Sequence, residues 1–369
     1  MRFVLDRVLR GYRPLYFSEG CLLLSRGGRL FRADPSCASV SEFAKVPLRE
    51  RFLQRIGLRI MDRVLRGGIH TAIMTDSRTL FLAARNDVWR VDIVTGEVTL
   101  DLEIPNGRRL LNFALVPAGP EGDLVPCFGE YFDNPTKMPV GLWVRRGESS
   151  KPWKRIEAFG SGVINHVHNI IPSADGSTLY VLTGDFGDSA AIFLTNPDFC
   201  RMRPLVQGQQ DFRAVWAWEV EPRILYYATD SQLQSNKVIL LDASNEETPR
   251  TVILDSIPGS GIYAAFADRH VIFSTAVEPG EPSGKFWRDA FDRKRGPGIL
   301  SNDASIHVLT KEGYLQPVFF APKDSWPTRL AQFGTFTFPG GILPNDRFWA
   351  YGQAIRGYDD ACLCFRSVA

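Results

Sequence analysis

The sequence has no apolar run that approaches the roughly 20 residues of a membrane-spanning helix. Its first residues, MRFVLDRVLRGYRPLYF, place Asp6, Arg7 and Arg10 where a secretory signal would need an unbroken apolar stretch. Charge of one sign is also scarce, because 43 Lys and Arg residues face 41 Asp and Glu residues, a formal net charge of +2. These absences predict a cytoplasmic protein with no nucleic-acid and no membrane partner.

Cysteine pairing and nucleotide-binding motifs are missing as well. The six cysteines form no C-x-x-C pair and no metal-finger spacing, so we expect reduced thiols. The glycine clusters at 27–28 and 259–261 lack the strand, phosphate loop and helix order of a dinucleotide or P-loop site. The sequence therefore argues against a disulfide-stabilised domain, a zinc finger and a nucleotide-binding fold.

Strand formers and turn formers are plentiful. The chain has 25 Phe, 10 Tyr and 8 Trp residues together with 32 Gly and 24 Pro, a composition that favours short strands joined by turns. From Ile164 to Leu194, an apolar strand, a Ser-Ala-Asp-Gly turn and two further apolar strands form one repeat unit, and weaker copies recur along the chain. Because three short strands cannot make a core alone, stacked copies are needed, which predicts a β-propeller.

The repeats set the predicted architecture. Inner strands begin near seven positions: Tyr12, His70, Asn112, His168, Arg213, Tyr263 and Phe333. We predict an all-β, seven-bladed β-propeller formed as a single domain by residues 1–369, with six blades as the alternative if the first unit is split. Residues 2–6 are expected to close the ring as an outer strand of the C-terminal blade, because an open ring leaves unpaired edges. Residues 42–66 indicate a helical excursion, and residues 279–302 a long loop insertion.

Ionisable side chains recur at the strand ends that meet around the central axis of a propeller. Residues that open inner strands and residues that close the next strand converge on one face around the axis. The first set is His70, Asn112, His166, His168, Arg213 and Tyr263, and the second is Arg85, Glu130, Asp185, Asp230 and Glu278. An axial pocket lined by these side chains suits a polar, anionic ligand.

The motif INHVHNI places two histidines two residues apart, which puts both on one side of a regular strand. Three interpretations stay open. His166 and His168 can ligate a metal together with His70, they can act as a base with an orienting partner, or they can only donate to loop carbonyls.

Two adjoining segments carry a family resemblance. GEYFDNPTKMPVGLWVRRGESSKPWKRIEAFG followed by NHVHNIIPSADGSTLYVLTGDFGDSAAIFL resembles the blade pairs of sialidase-like, BNR-repeat β-propellers among the glycan-active enzymes. Within it, VRRGESSKPWKRI is similar to the S-x-D-x-G-x-T-W box with its Asp and central Gly lost, and Gly147 and Trp153 alone stand roughly in place. The resemblance is best over residues 128–215. It implies a glycoside hydrolase, or a polysaccharide lyase of the kind found on similar propellers, with a saccharide or glycoside substrate.

In lyases of this type a His and a Tyr transfer protons beside an Arg or His that neutralises a uronate carboxylate. The resemblance thus implies cleavage of an acidic, uronate-containing saccharide by β-elimination or hydrolysis. By chemistry and position, the candidates for these roles are His168 as base, Tyr263 as acid, Arg213 and His70 as carboxylate neutralisers, and Glu130 as a substrate contact or hydrolytic acid. The other side chains expected at the axial opening are candidate substrate contacts: His166, Asn112, Asp185, Asp230, Glu278 and Arg85.

This scheme needs no cofactor, and two alternatives remain beside it. One is a metal-dependent enzyme with a divalent metal at His70, His166 and His168. The other is a non-catalytic propeller that binds a saccharide or a protein partner on the same face. The sequence leaves the oligomeric state open.

Overall fold

The computed structural model describes residues 2–48, 63, 68–105, 107–117, 123–147 and 151–368. Within these ranges the strands form seven antiparallel sheets of four strands, one of them extended by a fifth, parallel strand. Successive sheets follow one another along the chain, each running from an inner to an outer strand. This confirms the predicted all-β, seven-bladed propeller.

Blades 1 to 3 are built from consecutive strands. Blade 1 comprises β2 (Arg13–Ser18), β3 (Cys21–Arg26), β4 (Arg29–Ala33) and β5 (Val40–Lys45). Blade 2 comprises β6 (Ile69–Met74), β7 (Thr79–Ala84), β8 (Asp87–Asp92) and β9 (Val98–Glu103). Blade 3 comprises β10 (Ala114–Pro117), β11 (Leu124–Gly129), β12 (Val140–Arg145) and β13 (Trp153–Phe159).

Blades 4 to 6 repeat the pattern. Blade 4 comprises β14 (His166–Pro172), β15 (Leu179–Gly184), β16 (Ala191–Thr195) and β17 (Arg203–Gln207). Blade 5 comprises β18 (Trp218–Glu221), β19 (Ile224–Ala228), β20 (Asn236–Asp242) and β21 (Arg250–Ile257). Blade 6 comprises β22 (Ser260–Ala267), β23 (His270–Ala276), β24 (Asp303–Thr310) and β25 (Leu315–Pro322), with β27 (Ile342–Leu343) beside β22.

Blade 7 joins the two ends of the chain. Its strands are β26 (Thr335–Thr337), β28 (Arg347–Gln353), β29 (Ala361–Val368) and, outermost, β1 (Arg2–Arg10). The pairing of β1 with β29 runs from Arg2 opposite Val368 to Arg10 opposite Ala361. Ring closure by the N-terminal strand is therefore confirmed, and it removes the two open edges that an unclosed ring would expose.

Burial explains why the inner strands are apolar runs and the outer ones are mixed. All six residues of β15 are buried, since this strand lies between two neighbouring blades, whereas most of β21 is exposed. Aromatic side chains fill the space between blades. The Phe128 ring lies 6.2 Å from that of Trp143 and 5.4 Å from that of Trp153, and all three are buried.

Two connections depart from the regular pattern. Residues 42–45, which the sequence places in a helical excursion, belong to the outer strand β5 instead. There they form the outer edge of blade 1. The rest of that predicted helix lies outside the described residues, apart from residues 46–48 and Arg63. Between β23 and β24 the chain runs through residues 277–302 and forms the short helix α1 (Phe286–Ala290). A second short helix, α2 (Thr328–Ala331), precedes β26.

All six cysteines are free. Within the described ranges, no helix combines the length and the apolar character that crossing a membrane requires.

Candidate metal centre

Three side chains of blade 4 meet at the axial end of its two inner strands. His166 and His168 open β14, and Asp185 directly follows β15. The pairing of β14 with β15 shifts between Val167 and Asn169, so that a β-bulge lies at His168 and redirects its side chain. As a result, Nε2 of His166 lies 3.1 Å from Nε2 of His168. Asp185 Oδ1 lies 3.4 Å and 3.5 Å from these two nitrogens.

The outer nitrogens of the two imidazoles fix the tautomers. His166 Nδ1 lies 3.0 Å from the Phe132 carbonyl oxygen, and His168 Nδ1 lies 2.8 Å from that of Ala214. Because a carbonyl oxygen only accepts, each Nδ1 must carry the hydrogen and donate it. In the neutral rings, Nε2 then has a lone pair and no hydrogen. His166 Nε2, His168 Nε2 and Asp185 Oδ1, here called the acceptor triad, therefore face one another, and with both rings neutral none of the three atoms carries a hydrogen.

The geometry of the acceptor triad fits a divalent cation. Ligand atoms about 2.1 Å from one ion are about 3.0 Å apart at a right angle and about 3.4 Å apart at the tetrahedral angle. The three observed separations, 3.1, 3.4 and 3.5 Å, cover this range. Among the described residues, this is the one group of three or more His, Cys, Asp or Glu side chains close enough to share an ion. Both histidines are buried, while Asp185 keeps 27% of its side chain exposed, which leaves an approach from the axis.

Arg213 of blade 5 holds Asp185 from the other side. One terminal nitrogen of its guanidinium lies 3.1 Å from Asp185 Oδ1, Nε lies 3.3 Å from an Asp230 carboxylate oxygen, and Nη1 donates to Gln232 Oε1 at 2.8 Å. The Arg213 side chain is 7% exposed. With three protein acceptors around it, this guanidinium orients Asp185 and balances two carboxylates. It is not displayed to a ligand, as the carboxylate-neutralising role expected from the sequence would require.

The charge of Asp185 follows from these contacts. Burial by itself would raise the pKa of the Asp185 carboxyl. Hydrogen bonds donated by the His166 and His168 imidazoles when Nε2 is protonated, together with the charge of Arg213, outweigh it and hold that pKa below its ordinary value. Asp185 is thus ionised at neutral pH.

A second pair of carboxylates lies behind Arg213. Asp230, after β19, has a 5% exposed side chain, and its Oδ1 is buried without a hydrogen-bond partner in the described part of the chain. Glu278, after β23, accepts a hydrogen bond from the Ser260 hydroxyl. Burial and the negative charge of Asp230 raise the pKa of Glu278 to about 8. Glu278 therefore carries a proton at neutral pH, close to the ionised Asp185.

We expect the raised pKa of Glu278 to appear in the pH dependence of stability. A carboxyl that binds its proton more tightly in the folded than in the unfolded chain stabilises the fold at low pH. That contribution is lost as the pH rises from about 4.5 to about 8. Glu278→Gln removes it, so the melting temperature of the variant relative to the wild type should increase across this window. Differential scanning calorimetry at several pH values measures the difference.

Glu281→Gln is the matched control, since Glu281 is exposed and lies three residues further along the chain. Its melting curve should follow that of the wild type at every pH. A constant offset between Glu278→Gln and the wild type would show that Glu278 titrates at its ordinary value.

Glu130 lies outside this cluster and serves as a structural brace. Its carboxylate is fully buried and accepts from Arg155 at 2.7 and 2.9 Å, from Trp143 Nε1 at 3.0 Å, from the Gly141 backbone at 2.7 Å and from Arg108. With these donors occupying both oxygens, nothing is left to contact a substrate or to carry a proton. Glu130 therefore has a structural role in this geometry, in contrast to the expected role as a substrate contact or hydrolytic acid.

Removing this brace should be costly. Glu130→Ala leaves the buried donors of Arg155, Trp143 and Gly141 without their acceptor, so we expect a loss of about 3–5 kcal/mol in the free energy of unfolding. Urea denaturation measures it. The control is Glu157→Ala, which removes an acid with 62% side-chain exposure lying 3.9 Å from Arg155 and should cost less than about 1 kcal/mol. Equal effects of the two changes would contradict the assignment.

The remaining predicted site residues lie elsewhere or act indirectly. His70 lies at the corresponding bulge of β6, but its Nε2 pairs with the Leu110 carbonyl oxygen at 3.1 Å. Burial and the charge of Arg13 lower the pKa of His70 to about 4, so His70 is neutral and cannot balance a carboxylate. Asp185, and not His70, is the third side chain beside His166 and His168. Asn112 Nδ2 donates to the His168 carbonyl oxygen at 3.2 Å and positions that residue from behind.

Arg85 and Tyr263 are placed by the turn and by the apolar group that surround them. Arg85 lies in the turn between β7 and β8, and Tyr263 packs against the apolar group that contains Val215 and Ile262. The phenol ring beside the histidines is that of Tyr131, whose centroid lies 4.3 Å from that of His166. Burial raises the pKa of Tyr131, so this phenol keeps its proton.

Sequence reasoning missed Tyr131, Gln232 and Gly184. Tyr131 follows Glu130, and its place after a strand end was a usable signal, since Asp185 holds the same kind of position. Gln232 and Gly184 gave no signal. A Cβ atom on Gly184 would lie 2.3 Å from His168 Cε1 and 2.5 Å from its Nε2, so the imidazole occupies the space that a side chain would need.

No protein-family model matches the chain, and no curated protein matches it in sequence. Solved structures do resemble it. Oligogalacturonate lyase in complex with manganese matches with a TM-score of 0.56 at 13% identity, over 100% of this chain and 97% of that one. A chain of the mitotic checkpoint complex matches with a TM-score of 0.55 at 10% identity, over 99% and 92%. At such identities the likeness shows the propeller fold alone.

Proposed function

We propose that this protein is a divalent-metal-dependent enzyme that cleaves an acidic, uronate-containing saccharide at the axial end of blades 4 to 6. The observation that carries the proposal is the convergence of two imidazole Nε2 atoms and one carboxylate oxygen within 3.1–3.5 Å of one another. The fold supports it, because a propeller of the same form is an oligogalacturonate lyase that was crystallised with manganese.

The acceptor triad is the set that would hold the ion. A bound divalent cation would supply positive charge next to the carboxylate of a uronate, which makes the hydrogen on the neighbouring ring carbon more acidic. Two histidines and one carboxylate are a donor set that Mn²⁺, Zn²⁺ and related ions accept. This assignment changes the role of His168, because a ligand nitrogen is not available as a base.

Glu278 is the residue that we assign to proton transfer. It is partly exposed, it holds a proton at neutral pH, and Arg213 lies close enough to balance its charge when that proton leaves. In β-elimination the acidified ring hydrogen would leave as a proton to solvent water, its electron pair would form the carbon–carbon double bond as the glycosidic C–O bond breaks, and Glu278 can give its own proton to the departing oxygen. Tyr131, whose phenol stays protonated beside His166, is a second donor within the same opening and takes the role expected of Tyr263.

The test is incubation of the metal-depleted protein with galacturonate oligomers, with and without added Mn²⁺. β-Elimination gives an unsaturated uronate that absorbs in the ultraviolet, and we expect this product only when Mn²⁺ is present. Glu278→Gln should lower the rate by about 10²–10⁴-fold while Mn²⁺ binding is kept. Full activity of that variant would remove Glu278 from the reaction.

Two other outcomes decide between the alternatives. New reducing ends without ultraviolet absorption would favour hydrolysis, the chemistry that the resemblance to sialidase-like propellers implies. Binding of the oligomers without any product would favour a non-catalytic saccharide-binding propeller.

A further inference from the structure

The long connection between β23 and β24 begins at the metal centre. The end of this connection folds back onto its beginning, where Gly296 N donates to the Glu278 carbonyl oxygen at 2.9 Å. Two residues later, Gly298 N donates at 2.9 Å to the carbonyl oxygen of Gln232, the residue that pairs with Arg213. A Cβ atom on Gly296 would lie 2.4 Å from that oxygen, so the contact is close. The base of this connection is thus part of the wall of the site.

The outer part of the connection displays two aromatic side chains. Trp287, in α1, is 72% exposed and Phe291, just after it, is 57% exposed. Their ring centroids lie 6.2 Å apart and their planes differ by 15°, so the two rings stack nearly parallel to one another; this pair is here called the aromatic platform. Neighbouring exposed aromatic side chains of this size are the kind of apolar surface that marks a binding site.

Hydrogen bonds hold the platform in place. Ser283 donates from its backbone and from its hydroxyl to Asp289 Oδ1, at 2.7 and 2.6 Å, which fixes the start of α1. From the neighbouring loop, Thr328 N donates to the Asp292 carbonyl oxygen at 3.3 Å, and Arg329 donates to that of Gly280. The exposure of the rings is therefore a feature of an anchored segment.

The same segment carries the net positive charge of the protein. Residues 279–302 include five cationic and three acidic side chains, an excess of two, and the formal net charge of the whole chain is +2. The five cations are exposed: Lys285, Arg288, Arg293, Lys294 and Arg295. Two of the acids, Asp289 and Asp292, already accept hydrogen bonds within the segment. The platform thus lies in a locally cationic surface on an otherwise balanced chain.

We propose that the aromatic platform is a distal subsite that stacks against a sugar ring of an extended polyuronate whose reacting end lies at the acceptor triad. A pyranose ring offers a flat face of C–H groups that suits an aromatic plane, and its carboxylates project from the edge towards surrounding cations. This combination fits an acidic polysaccharide better than a neutral glycan or an apolar peptide. The inference rests on the proposed function and adds the length and charge of the substrate.

Calorimetric binding of galacturonate oligomers of increasing length tests it. The background is Glu278→Gln, which keeps the acceptor triad and prevents turnover, and Mn²⁺ is present throughout. With the platform intact, affinity should rise with oligomer length. Replacing both Trp287 and Phe291 by alanine should lower the affinity for the longest oligomer about tenfold and flatten the dependence on length.

Tyr314→Ala is the matched control. Tyr314 is 73% exposed on the same blade, but it lies in the turn between β24 and β25, at the opposite end of the strands from the platform. This variant should keep the length dependence. Neutral oligomers of glucose should bind weakly at every length, because they lack the carboxylates.

Several results would overturn the inference. One is an unchanged length dependence in the platform variant, and another is equal binding of the neutral oligomers. A third is a dimer that becomes monomeric in the platform variant while saccharide binding is kept, since this would make the platform a contact between copies of the chain. Absence of binding at every length removes both proposals, whereas length-dependent binding with no cleavage by the wild type removes the proposed activity and leaves the platform standing.

Discussion

Alanine in place of His168 is expected to lower the affinity for Mn²⁺ about 100-fold or more. The substitution deletes one of three ligand atoms and leaves His166 Nε2 and Asp185 Oδ1 alone. Even the loss of a hydrogen-bond partner behind a ligand typically costs 10–100-fold, so the loss of a ligand itself should exceed that. His166→Ala should give the same result. Calorimetric titration of the metal-depleted protein with Mn²⁺ measures both.

His70→Ala is the matched control for these variants. His70 is also a histidine at the bulge of an inner strand, but it is held by the Leu110 carbonyl and belongs to blade 2. Its removal should destabilise the fold without changing the affinity for Mn²⁺. Wild-type affinity in His168→Ala, or a loss in His70→Ala as large as in His168→Ala, would contradict the assignment of the triad.

Gly184→Ala should weaken Mn²⁺ binding although it replaces none of the three proposed ligand residues. The added methyl would lie 2.3 Å from the nearest atom of the His168 ring, far inside van der Waals contact, so the imidazole must turn away. We expect a 10–100-fold loss of Mn²⁺ affinity, as for other changes that misplace a ligand. Overpacking of this kind also lowers the free energy of unfolding by about 1–3 kcal/mol.

Gly160→Ala separates the clash from the general effect of a methyl group. A Cβ atom on Gly160 meets no atom within 4 Å, and its backbone is not in the left-handed region. This variant should bind Mn²⁺ like the wild type. If Gly184→Ala also binds like the wild type, the imidazole of His168 is not confined as described.

The fold could be predicted because its cause is local and repeated. Each repeat places apolar strands between turn formers, and seven such units can bury their faces only against one another. The closing strand was predictable too. An unclosed ring would leave the C-terminal blade with an unpaired edge, and residues 2–6 can pair with it. The assignment of residues 42–45 to a helix failed because an outer strand is half exposed. Its charged and apolar residues, such as Glu42 and Phe43, give no clear period of two.

The site was only partly predictable, because equivalent positions in different blades are not all neighbours in space. His166, His168, Asp185, Arg213 and Asp230 belong to adjacent blades 4 and 5 and do meet. His70 occupies the same kind of position in blade 2, where a nearby carbonyl satisfies it. The prediction assumed that equivalent positions in all seven blades would contact one another at the axis. Which donors Glu130 meets, and where a bulge turns His168, depend on packing that no single repeat encodes.

The central claim is that the acceptor triad holds a divalent cation. The most direct measurement is a crystal structure of the protein grown with Mn²⁺, with data collected at an X-ray energy where manganese scatters anomalously. The account predicts one strong anomalous peak between His166 Nε2, His168 Nε2 and Asp185 Oδ1. A map without a peak there, with a hydrogen bond between the two imidazoles in its place, would contradict it.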